Sequence, residues 1–163
     1  MQIRCIVEQD YSQVRQLRLA ALQDSPDSFA DSLRSTRDKP TQYWKELTKS
    51  LCKEHVMFIL EQDGELVGSI YGLSDSINEK TGRVAGMWVS PSYRRRGFGK
   101  SLLMQVASWA RSSGFNEMRL WAPAKKPRVI EFYQSNGFEL TGNRQQTPKP
   151  NLQIVEMKRV FVV

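Results

Sequence analysis

With 163 residues, 40% of them apolar and 25% charged, the chain is long enough to close one hydrophobic core without disulfides or a structural metal, and its composition excludes disorder as a description of the whole. A net charge of +7 and a sequence pI near 9.6 point to an anionic partner. No apolar run approaches the length that crosses a bilayer, so a single cytoplasmic domain over residues 1–163, away from any membrane, is the expectation.

Residues 3–7 alternate weakly and read as a first strand, after which Asp10 or Ser12 caps a helix carrying Val14, Leu17, Leu19, Ala21 and Leu22. Ser25 and Pro26 stop it. Residues 27–40 are polar and irregular and read as a flexible flap, and Tyr43, Trp44 and Leu47 then mark a second short helix that ends near Ser50. Residues 56–60 and 66–73 form a hairpin around Asp63 and Gly64, a pair that accepts the positive φ angles of a tight turn. Residues 84–89 add a third strand, closed by Pro91, which cannot extend a ladder.

Over residues 99–113, Leu102, Leu103, Val106, Ala107 and Ala110 recur at helical spacing, with Arg111 at the negative end of the dipole and Gly114 beyond it. Residues 118–122 read as a strand, 127–136 as a helix closed by Gly137, and 138–141 with 153–160 as a closing hairpin. The tail 160–163 reads either as a strand end or as a dimer edge, leaving monomer and homodimer open. Cys5 and Cys52 have no partner at metal or redox spacing and are expected as buried thiols. His55 reads as a surface residue.

This order gives an α/β fold, a mixed sheet with helices on its faces. Residues 84–89 and 118–122, joined through the long helix, are expected as a parallel pair, which places the helix N-terminus at the sheet's carboxyl end where ligands bind. There the chain reads Arg94, Arg95, Arg96, Gly97, Phe98, Gly99, Lys100, Ser101. Free N–H groups at a helix start and the positive end of its dipole hold anions, and glycine lets a phosphate approach the backbone, so a pyrophosphate fits. A P-loop also ends in Gly-Lys-Ser, but it needs another glycine where this chain has Arg94, and no strand ends in a magnesium-binding aspartate. Stacking recognition of nucleic acid is disfavoured because aromatics are not interleaved with the basic clusters.

Arg94, Gly97 and Gly99 resemble the pattern of the GNAT superfamily of N-acetyltransferases: Arg or Gln, two residues, Gly, one residue, Gly or Ala. The resemblance extends through Gly86, Met87, Trp88, Val89 and Pro91 before the turn, and through Tyr133, Gly137 and Phe138 after it. Residues 17–29, with Leu17, Arg18, Asp24, Ser25, Pro26 and Phe29, resemble the first helix and loop of bacterial members. It implies the GNAT fold: a mostly antiparallel sheet of six to seven strands, about four helices, and a splayed parallel pair forming an acetyl-CoA cleft. It further implies acetyl-CoA as co-substrate, with its pyrophosphate on the main-chain N–H groups from Arg95 to Gly99 and extending to Lys100 and Ser101. Met87, Trp88 and Val89 would align the pantetheine arm as an added strand. Lys126 stands where many members have a cofactor-binding asparagine, whose paired donor and acceptor a lysine cannot copy, although it can hold a phosphate as a point charge.

The implied reaction moves acetyl to a primary amine of a small molecule, peptide or protein. An ammonium with pKa near 10.4 must first lose its proton, and Glu79, Asp75, Asp24, Asp27 and Asp31 are the candidate bases. The Val89 N–H is the candidate donor to the negative charge developing on the thioester oxygen. Tyr133 occupies the family's general-acid position and is the candidate catalytic residue. A non-catalytic acetyl-CoA sensor on the same fold is the alternative.

Overall fold

The computed structural model describes residues 1–162. Its strands are β1 (Gln2–Cys5), β2 (Val56–Gln62), β3 (Glu65–Ser74), β4 (Thr81–Val89), β5 (Glu117–Pro123), β6 (Glu139–Gln146) and β7 (Gln153–Val160). They form a 7-stranded sheet in the order β1-β2-β3-β4-β5-β7-β6, with every neighbouring pair antiparallel except β4 and β5. The β2–β3 turn places Asp63 at φ 54° and Gly64 at φ 81°, the doubly positive geometry that matches strand twist.

The helices are α1 (Tyr11–Asp24), α2 (Leu33–Arg37), α3 (Thr41–Lys53), α4 (Phe98–Ser112) and α5 (Pro127–Ser135). The apolar stripe of α4, Leu102, Leu103, Val106 and Ala110, packs with Leu60, Ile70, Met118 and Leu120 in one core. Val14, Leu17 and Ala21 of α1 join Trp44 and Leu51 of α3 over Met57, Ile59 and Trp88 in a second core. The two cores hold β2, β3 and β4 between them, so the carboxyl end of β4 is anchored on both faces.

Three expectations are corrected. The flap contains α2, so three helices rather than two precede the β2–β4 meander. Ser32 caps α2 by accepting the Ser35 N–H at 3.1 Å, but only Thr36 is buried, so the segment shows no apolar period. Strand β6 runs to Gln146, well past Thr141, because its backbone pairs with β7 although its outer side chains are polar. Cys5 is exposed rather than buried, at the end of the sheet's edge strand, and Cys52 is half-buried with Sγ 3.7 Å from the Ile6 carbonyl; both are free thiols. Val160 ends β7, and Val163, at the end of the tail, lies outside the described residues. No helix among the described residues is long and apolar enough to cross a membrane.

Candidate active site

The parallel pairing of β4 and β5 lasts only for Thr81–Arg83 against Glu117–Arg119. Beyond Arg83 the strands part: β5 continues along β7 to Pro123 while β4 continues along β3 to Val89. The gap opens into a cleft of about 1240 Å³. A bulge sharpens the parting. Ser69 faces Trp88 and Tyr71 faces Ala85, so β4 carries an extra residue there. Gly86 absorbs it at φ 55°, and a Cβ at that position would stand 2.5 Å from the Tyr71 ring. Ser90 donates its N–H to the Val67 carbonyl at 2.8 Å, so ladder alternation turns the Val89 N–H away from β3 toward the open edge.

At the mouth of the cleft the chain turns from β4 into α4. Arg95 has φ 62° and Gly97, the residue before α4, has φ 81°. The backbone N–H groups of residues 95–100 have no hydrogen-bond acceptor among the described residues. They stand at the positive end of a 15-residue helix, with Arg95, Gly97, Gly99 and Lys100 on the cleft wall. A Cβ on Gly97 would meet nothing within 4 Å, so the space over that amide is open, whereas one on Gly99 would come within 3.0 Å of the Met87 methyl.

Not every residue of the turn faces this space. The Ser101 N–H is committed to the Gly97 carbonyl at 3.0 Å, and its hydroxyl reaches the same oxygen at 3.2 Å. Phe98 stacks on Tyr93 with centroids 6.2 Å apart, and the Arg96 guanidinium lies over the Tyr93 ring, 5.3 Å from its centroid. The Arg94 guanidinium folds back: Nε donates to the Val89 carbonyl at 2.8 Å and a terminal nitrogen binds Asp24. Asp24 also accepts from the Trp88 indole at 2.9 Å and the Ser25 hydroxyl at 2.7 Å. Burial works to raise the Asp24 carboxyl, but the hydrogen bonds from Ser25, Trp88 and Arg94 outweigh it and hold it below its ordinary range. Asp24 thus ties the end of α1 to the end of β4 and to the turn that leads into α4.

Tyr133 of α5 lies on the cleft wall, 8% exposed, packed between Phe132 and Phe138. Its hydroxyl donates to Sδ of Met87 at 3.4 Å. Desolvation by burial pushes its phenol well above the ordinary tyrosine value, so it carries its proton at neutral pH. Lys126, at the head of α5, reaches Oγ of Ser28 at 2.8 Å. Lys149, in the β6–β7 connection, donates to the carbonyls of Pro26, Phe29 and Asp31 at 2.7, 2.6 and 2.9 Å. Together these lysines fasten residues 26–31 to the β5–β7 side. Nothing in the sequence marks Lys149, since its partners are main-chain oxygens.

None of the candidate bases lines the cleft. Asp75 is held by Arg83 at 2.6 Å and by the Ile77 and Asn78 N–H groups, and Asp31 pairs with Arg18 at 2.6 Å. The Ile77 N–H, opposed by burial and helped by Asn78 and Arg83, holds Asp75 below its ordinary range. Asp27 and Glu79 are exposed elsewhere. His55 takes the Ser74 N–H at 3.2 Å, away from the cleft lining. No group of three or more potential metal-binding side chains occurs among the described residues.

Residues 18–138 match the family described as "Acetyltransferase (GNAT) family". Human N-acetyltransferase 8 is 28% identical over 102 residues, 60% of this chain and 45% of that protein. The chain spans about half the length of the curated relatives it matches. Among solved structures, an acetyltransferase of the GNAT family from Streptococcus pneumoniae superposes with a TM-score of 0.85 at 15% identity, over 99% of both chains. YncA of Salmonella typhimurium, solved with its cofactor acetyl-CoA, gives 0.83 at 18% identity, over 100% of this chain and 95% of that one. These likenesses are likenesses of fold.

Proposed function

The chain belongs to the acetyltransferase (GNAT) family, and from that premise we propose that it is an N-acetyltransferase taking acetyl from acetyl-CoA to a primary amine. The observation that carries the reading is the row of unpaired amides at residues 95–100, opening on a cleft whose wall includes a protonated Tyr133. Unpaired N–H groups at the head of α4, flanked by Arg95 and Lys100, suit a pyrophosphate. The Val89 N–H at the splayed edge suits an amide-bearing arm, which completes the ladder that β5 abandons. Lys126 and Arg128 at the head of α5 add point charges for further phosphate.

Bound acetyl-CoA supplies the thioester: the amine nitrogen forms a bond to the acetyl carbon, the carbon–sulfur bond breaks, and the products are an N-acetyl amine and free thiol. The Tyr133 hydroxyl, on the cleft wall beside Met87, is the protein's proton source for the departing sulfur, and solvent reprotonates it. Its contact with Met87 fixes the hydroxyl over the bulge of β4. With no carboxylate on the cleft wall among the described residues, the amine's proton leaves to water.

Amine-dependent release of coenzyme A thiol tests the reading. Release that rises with amine and yields a product heavier by one acetyl group supports it. Acetyl-CoA binding with no thiol release across a broad amine panel would leave only the sensor reading.

A further inference from the structure

Every charged side chain that lines the cleft is a lysine or an arginine, and no aspartate or glutamate does so among the described residues. The basic residues fall in two groups. Arg94, Arg95 and Lys100 belong to the phosphate turn, with Lys126 and Arg128 at the head of α5. Arg18 and Arg83 have no place in that arrangement: one comes from α1, the other from the point where β4 and β5 part.

Arg18 has donors to spare, whereas Arg83 is held by two carboxylates. Arg18 lies 5.0 Å over the Phe29 ring and uses one terminal nitrogen on Asp31, leaving Nε and the other terminal nitrogen without a hydrogen bond among the described residues. Arg83 spends Nε on Asp75, while its buried Nη1 stands 3.6 Å from Glu156 and has no hydrogen-bond partner. The lining also carries Phe29, Tyr71, Leu73 and Trp121, an apolar and aromatic set that begins at Phe29 under Arg18.

Resting on the acetyl-transfer reading, we infer that the acceptor is an amine carrying its own anionic group: a small amino acid with a free carboxylate and an apolar side chain. A carboxylate offers two acceptor oxygens to a guanidinium fork, which neutral amides and hydroxyls do not match. Its side chain lies on Phe29, Tyr71, Leu73 and Trp121. A polyamine, by contrast, finds no aspartate or glutamate on the lining among the described residues to pair with its further ammonium groups. The amine loses one proton to water, as in the acetyl-transfer reading. The nitrogen then forms its bond to the acetyl carbon as the carbon–sulfur bond breaks, its second proton goes to solvent, and the sulfur takes a proton from Tyr133.

The test compares apolar amino acids with their carboxamides and with spermidine, by thiol release, in the wild type, Arg18→Gln and Arg18→Lys. Loss of a charge-assisted contact predicts kcat/KM at least about tenfold higher for the amino acids than for their carboxamides. Arg18→Gln narrows that gap to about twofold, and Arg18→Lys, which keeps the charge without the fork, restores part of it. Equal or better use of carboxamides or spermidine by the wild type overturns the inference, as does an unchanged gap in Arg18→Gln or no turnover of any amino acid. Calorimetry with acetyl-CoA on the same samples separates the two levels: absent binding sinks acetyl transfer itself, whereas intact binding without discrimination sinks only the anionic acceptor.

Discussion

The Tyr133 hydroxyl donates to Sδ of Met87 across the cleft, 3.4 Å away, joining α5 to the bulged end of β4. The contact sets the phenol at the place where the two strands have parted, and burial keeps it protonated. A structural tyrosine would need only the ring, which Phe138 and Phe132 already hold.

Tyr133→Phe therefore keeps the packing and removes the proton. A positioned general acid contributes ~10²- to 10⁴-fold, so kcat falls by that order while acetyl-CoA affinity stays within about twofold. Steady-state kinetics on a confirmed amine, where chemistry limits the rate, decide it: kcat within a factor of two of wild type removes Tyr133 from the mechanism.

Burial of the same hydroxyl makes stability pH-dependent. The folded-state pKa is raised above the ordinary 10.0, so the unfolded chain releases this proton first. The stabilising effect is whole below pH 10 and is lost as pH rises from there toward the folded-state value. Urea unfolding of the wild type should weaken above pH 10 more steeply than that of Tyr133→Phe. Parallel curves would contradict the assignment.

Asp24 joins the end of α1 to β4 and to the turn before α4. Asp24→Asn weakens the bonds from Trp88 and Arg94 and frees the Arg94 guanidinium from its fold onto Val89. Since the carboxylate is partly exposed, the cost is about 1 kcal/mol, read as a lower urea midpoint at unchanged slope. Its folded-state pKa lies below the ordinary 3.8, so the stabilisation is present above that pH and fades as pH falls below it. Retained acetyl transfer in the variant is expected. Abolished transfer with unchanged acetyl-CoA affinity would restore Asp24 as a base candidate.

Lys149 holds residues 26–31 by three main-chain carbonyls. Lys149→Met should raise amide hydrogen exchange across 26–31 and increase the acceptor KM several-fold, with acetyl-CoA affinity changed by less than about twofold, because Phe29 of that segment lines the cleft and belongs to the wall proposed for the acceptor. Unchanged exchange there would show that the segment holds its place without the lysine.

Much of this architecture is legible in the sequence because the residues that set it act locally. Asp63 and Gly64 define their hairpin through backbone preference, and Leu102, Leu103, Val106 and Ala110 mark α4 by periodicity. Gly97 and Gly99 announce the turn into α4 in the same way, through its backbone geometry. What stayed hidden depends on distant partners. Arg94 turns inward because Asp24, 70 residues away, receives it, and Lys126 spans 98 residues to Ser28. Strand β6 draws its form from pairing with β7 rather than from an apolar face, and α2 rests on the Ser32 cap. The absence of a carboxylate from the cleft lining likewise shows only once α1, β4 and α5 are folded together.

The most direct measurement is calorimetric titration of acetyl-CoA into the wild type and Gly97→Val. The glycine has φ 81° with open space over its Cβ position, so valine costs about 1–2 kcal/mol of backbone strain and fills the space above the free amides. Micromolar or tighter binding by the wild type is expected, weakened at least about tenfold in the variant while circular dichroism shows the fold retained. Equal affinity in both proteins, or no binding by the wild type at saturating acetyl-CoA, would contradict an acetyl-CoA site at the head of α4.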